Sequence, residues 1–130
     1  MTVPSTPPAP SEADHLLIKK YLIYTLMLDV LEQDIDSIRQ VSLYMPEVYI
    51  MRLSKLQSEV TVSLTNLRSD MRTRGIRVYE ESKQKEGMEA LYLCRGYRRR
   101  LFLLWTFAKT EVKKEMSAYL GIDLSTCSES

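Results

Sequence analysis

Leu17, Tyr21, Tyr24, Leu28, Leu31, Ile35 and Ile38 recur at alternating steps of four and three. That spacing is the heptad seam of an amphipathic helix. A second stripe, Leu22, Ile23, Leu26, Met27 and Val30, leaves the middle of the same helix apolar on nearly every side. Such a helix must be buried against more than one neighbour. The rest of the chain has to fold around it, or another chain has to cover it. The seam is therefore a candidate oligomer interface, and it predicts a homodimer. A membrane cannot be the cover in the spanning sense. The run from Leu16 to Leu31 contains Lys19, Lys20 and Asp29, whereas a spanning helix needs about 20 predominantly apolar residues.

Flanking signals bound this helix. Ser11 followed by Asp14 is a capping-box pattern, and acids in the first turn suit the helix dipole. Pro46 fits the first position of a second helix, where its missing N–H is not needed. Tyr49, Leu53, Leu56, Val60, Leu64, Leu67 and Met71 would be the apolar stripe of that helix and Gly75 its left-handed stop. The period then falls to two. IRVYEES and MEALYLC read as short strands, and KQKEG between them reads as a loop. A lone hairpin is marginal in water, so it should pack on the helices. Gly96 would end the second strand. Helix three would run from Tyr97 to Leu120, with Leu101, Leu104, Ala108, Val112, Met116 and Tyr119 as its stripe. Ile122 and Leu124 would pack back after a stop at Gly121.

The predicted fold is mainly α: three long helices in a bundle, with a two-stranded β-hairpin between helices 2 and 3. A length of 130 residues favours one domain, expected over residues 11–124. MTVPSTPPAP holds four of the five prolines and no charge, so residues 1–10 read as an extended tail. This stretch lacks the basic start and apolar core of a secretory signal. Residues 125–130 read as a second tail. Cys94 and Cys127 have neither disulfide-framework nor zinc spacing, which points to a reducing compartment, the cytoplasm.

No enzyme motif emerges. His15 is the one histidine, and acid–base work needs a positioned partner. The four glycines punctuate elements and form no phosphate loop. Asp29, Glu32 and Asp36 share a helix face, but a hard cation needs more oxygens than they supply. Glu80, Glu81 and Lys83 faintly resemble a nuclease set without its upstream aspartate. No metal or cofactor is expected.

Charge is more informative. The formal net charge is +1, yet residues 68–100 carry ten bases against five acids, and residues 11–45 carry three bases against six acids. Arg98, Arg99 and Arg100 would lie in the first turn of helix 3, where the dipole disfavours cations. Free amides and arginines together make an anion site. Arg95 and Tyr97 lie alongside, and Lys83 and Lys85 at the hairpin tip would reach a second phosphate. These seven residues form the candidate nucleic-acid or polyanion site. Two other fates compete for the arginines: ion pairs with the acidic face of the first helix or Glu89, and a membrane surface flanked by Phe102 and Trp105. Two functions follow. The first is a non-enzymatic regulatory or scaffold protein acting through helix-mediated contacts with a protein partner or with itself. The second is a nucleic-acid-binding accessory protein that uses residues 68–100.

Overall fold

The computed structural model describes residues 9–126. Residues 1–8, which hold most of the expected proline tail, and Cys127 lie outside them. The described elements are α1 (Glu12–Gln40), α2 (Pro46–Thr73), β1 (Ile76–Lys83), β2 (Gly87–Cys94), β3 (Tyr97–Leu104), α3 (Trp105–Leu120) and a 3₁₀ turn, Leu124–Thr126. No described helix is long and apolar enough to cross a membrane.

The capping box opens α1 as its sequence implies. The Ser11 hydroxyl accepts from the Asp14 amide at 3.3 Å, and the Ser11 amide donates back to the Asp14 carboxylate at 2.9 Å. Together they satisfy two of the four N–H groups that a helix start leaves without partners. The apolar middle of α1 is buried as expected except at Val30, which stands exposed; Ile18, Leu22, Met27 and Leu31 are fully enclosed. α2 returns antiparallel to α1. Gln57 donates to Glu32 at 2.8 Å, and the Arg68 guanidinium lies 5.7 Å from the centre of the Tyr21 ring. Leu56, Val60, Leu64, Leu67 and Met71 form the buried stripe of α2. The stripe fails at its start, because Tyr49 is exposed. Gly75 follows α2 with φ +71°, the left-handed geometry expected of it.

The main correction concerns residues 97–104. They form a third strand, not the first two turns of a helix, and the sheet is an antiparallel meander in the order β1-β2-β3. The physical reason is the Arg95–Gly96 turn. Both residues have positive φ, 51° and 89°. That geometry closes a two-residue hairpin loop whose twist matches the strands it joins. Beyond it Leu101 and Leu103 face inward, alternating with Arg100 and Phe102. Leu104, expected on a helical stripe, is exposed where the strand ends. Helix three therefore starts at Trp105, anchored to the β1–β2 loop. The Trp105 amide donates to the Glu86 carbonyl at 3.0 Å, and the indole N–H donates to the Gln84 carbonyl at 2.8 Å.

One face of the sheet covers the helices. Ile76, Met88, Ala90, Tyr92, Cys94, Leu101 and Leu103 join a core cluster that also takes side chains from all three helices. Gly87 allows β2 to approach β3 closely; a Cβ there would lie 2.1 Å from the Leu103 carbonyl oxygen. Past Gly121 (φ +71°), Ile122 donates its amide to Ser117 but leaves its side chain exposed, so it does not pack back.

Candidate functional site

The basic residues expected to act together are dispersed by the meander. Lys83 and Lys85 stand at the β1–β2 end of the sheet, while Arg95 and Tyr97 stand at the β2–β3 end, about 20 Å of strand away. Lys83 pairs with Asp29 at 3.4 Å. The three consecutive arginines split by the pleat, which sends successive side chains to opposite faces. Arg98 and Arg100 point to the outer face and Arg99 to the other. Arg100 pairs with Glu89 and lies 5.5 Å from the Phe102 ring centre. Arg99 lies 5.7 Å from the Tyr97 ring centre. No helix dipole acts on these residues, so that part of the anion-site reasoning is removed. Charge on a terminal strand has its own use: it discourages edge-to-edge pairing with another sheet.

Arg95 has a different fate. Asp14 is only 1% exposed, and Arg95 donates to it at 2.7 Å while Arg74 donates at 3.3 Å. Arg95 also donates through its guanidinium to the carbonyls of Arg74 (2.8 Å) and Ala9 (3.1 Å), and its amide reaches the Gly75 carbonyl at 2.9 Å. One side chain thus joins the start of α1, the end of α2 and the sheet turn. The Arg95 guanidinium holds the Asp14 carboxyl well below the usual carboxylate range; burial opposes this, and Ser11 and Arg74 reinforce it. Burial, with Asp14 nearby, pushes the Cys94 thiol up, so this buried free thiol stays protonated at neutral pH. Of the three consecutive arginines, Arg100 takes the expected internal pairing at Glu89, whereas Asp14 is held by Arg95 and Arg74. Asp36 pairs with Arg39. Among the described residues no cluster of three metal-ligating side chains forms.

The outer face of the sheet is a small mixed surface. Its rows across β1, β2 and β3 are Arg77–Leu93–Arg98, Glu80–Leu91–Arg100 and Ser82–Glu89–Phe102. Arg77 and Arg98 flank a half-buried leucine at the end nearest the Asp14 cluster.

The seam of α1 is largely occupied by the chain itself. Tyr24, Leu31 and Ile35 are buried, and Leu17, Tyr21 and Leu28 pack on the core. The Tyr21 hydroxyl donates to Glu81 at 3.3 Å, and Ile38 is half-buried. Beside the seam, α1 and α3 leave a groove of about 600 Å³ walled by Leu26, Val30, Trp105, Val112, Met116 and Leu120.

Sequence reading missed the most exposed apolar surface. Val41, Leu43, Tyr44, Met45, Val48, Tyr49 and Met51 all stand in solvent at the α1–α2 connection, Tyr44 completely (101%). Within VSLYMPEVYIM only Glu47 is charged. The signal was present in that composition, but Pro46 draws attention as a helix start and Tyr49 continues a plausible stripe. The reason for the exposure is length. α3 ends near the level of Arg52, whose guanidinium donates to the Tyr119 carbonyl at 3.3 Å. The hairpin tip lies beyond that contact.

Comparison with curated proteins and with solved structures finds no match. The YhjD protein family matches residues 9–124, a span that takes in every helix and strand described above, and the chain belongs to that family.

Proposed function

We propose that this chain is a small non-enzymatic regulatory or scaffold protein that acts through helix-mediated protein contacts. The contact surface is the tip of the α1–α2 hairpin, not the α1 seam. One observation carries this reading: seven large apolar side chains exposed within eleven consecutive residues. Single exposed apolar residues are ordinary, but a cluster this dense in one hairpin connection is the mark of an interaction surface. Tyrosine and methionine are enriched in interface cores, and charged residues are depleted there. A photo-crosslinking amino acid placed at Tyr44 in living cells tests the reading. It should yield a discrete protein adduct, while the same probe at Val62, an isolated exposed residue on α2, yields none. No adduct at position 44, or equal adducts at both positions, would count against it.

A second reading keeps a polyanion partner, now on a smaller site. Its specific support is the Arg77–Leu93–Arg98 row on the outer face of the sheet. It predicts nucleic-acid binding that falls steeply with salt. That binding should disappear in an Arg77→Glu, Arg98→Glu variant, and its persistence there would remove the site.

A further inference from the structure

We infer that the protein covering the hairpin tip is a second copy of this chain, seated tip to tip about a two-fold axis. The inference rests on the tip being a protein-contact surface and adds the partner's identity. Size is the first support. The exposed fractions of Val41, Leu43, Tyr44, Met45, Val48, Tyr49 and Met51 amount to between four and five whole side chains. That is about 650–900 Å², taking roughly 150–200 Å² for each, the lower half of the range for aromatic side chains. One partner in a standard protein interface contributes about 800 Å², so a symmetric pairing of two tips needs no further surface.

Persistence is the second support. A monomer rarely leaves more than about 300–600 Å² of contiguous apolar surface in water. A larger patch fixed on a helical hairpin favours a partner that is always at hand. A second copy meets that condition wherever the chain is made.

Charge is the third. The charged residues from Asp36 to Arg52, across and beside the tip, are Asp36, Arg39, Glu47 and Arg52, two of each sign. In a two-fold interface the same patch faces itself, so a rim of one sign would repel its copy, whereas a balanced rim does not. The same balance speaks against an anionic lipid surface, which attracts clusters of lysine and arginine. The tip carries no lysine between Lys20 and Lys55.

Sedimentation velocity on the purified full chain tests this, over about 1–100 μM, the range in which micromolar pairing shows. The expected result is a monomer–dimer equilibrium with an elongated dimer of twice 15.1 kDa. A Tyr44→Glu, Met51→Glu variant should dimerise at least about 100-fold more weakly, with an unchanged far-ultraviolet circular dichroism spectrum. Two results overturn the inference: a wild type that stays monomeric throughout, or a dimer that survives in the double variant. The crosslink at Tyr44 separates the two levels. An adduct with a different protein, from a chain that is monomeric alone, overturns the second copy and leaves the protein-contact reading standing. A monomeric chain with no adduct overturns both.

Discussion

At one end of the α1–α2 hairpin Asp14 lies buried beneath Arg95 and Arg74; at the other, about 40 Å away along α1, Tyr44 stands fully in solvent. The first end is rich in charge, yet its most buried charge is met from within the chain. The second end has almost no charge, and its apolar side chains stand largely uncovered among the described residues. Physical chemistry treats the two surpluses differently. A buried carboxylate without a partner is costly, so it appears only where the fold supplies one. An exposed apolar patch costs little in the isolated fold and becomes favourable when another surface removes it from water. Of the basic cluster that draws attention in the sequence, Arg95 is tied into the fold, and the unremarkable stretch around Pro46 is the stronger candidate for contact.

Substitutions at the two ends sharpen this contrast. Asp14→Ala removes the capping box and leaves Arg95 and Arg74 without their shared partner. It should lower stability by about 2–4 kcal/mol, below the upper range for buried pairs because both arginines are partly exposed. Chemical denaturation measures this, and an effect under about 1 kcal/mol would break the contrast. Arg95→Met should lower the melting temperature less than Asp14→Ala, since Asp14 keeps Ser11 and Arg74.

Acid probes the same carboxylate. Its pKa is lower in the folded state than the ordinary value near 3.9. Its contribution is therefore fully present above about pH 5 and is lost as pH falls through and below that ordinary value. The stability gap between the wild type and Asp14→Asn should narrow on going from about pH 6 to about pH 2.5. A gap that widens would reverse the assigned sign. The smallest effect belongs to the tip. Tyr44→Ser, measured at a dilution that keeps the chain monomeric, should change stability by less than about 0.5 kcal/mol. A large loss there would mean that Tyr44 has a structural partner within the chain.

Much of this fold is written locally. The Ser11–Asp14 box, the Pro46 start, the Leu56–Met71 stripe and the Gly75 stop are each decided within a few residues, and each is legible. β1 and β2 alternate clearly enough to be read as strands. β3 is not, because YRRRLFLL fits two periods. Leu101, Leu104 and Ala108 have helical spacing, while Leu101 and Leu103 have strand spacing. The turn at Arg95–Gly96 decides between them, and an arginine with positive φ carries no composition signal. The candidate site was less legible still. Asp14 and Arg95 meet across 81 positions, so their pairing exists only in the folded chain. The tip was missed for a related reason: periodicity shows which face of a helix is apolar but not whether a neighbour reaches it. The Tyr49 position continues the α2 stripe in sequence and stands in water in space.

Amide hydrogen exchange on the full chain at low and high protein concentration compares the two ends in one experiment. Around Asp14, Gly75 and Arg95 protection should be strong and independent of concentration, because those contacts lie within one chain. Across residues 41–51 protection should be weak at low concentration and rise as copies meet. Exchange at the tip that ignores concentration, or an Asp14 end that exchanges as fast as the tip, would contradict a molecule closed at one end and left open for its own copy at the other.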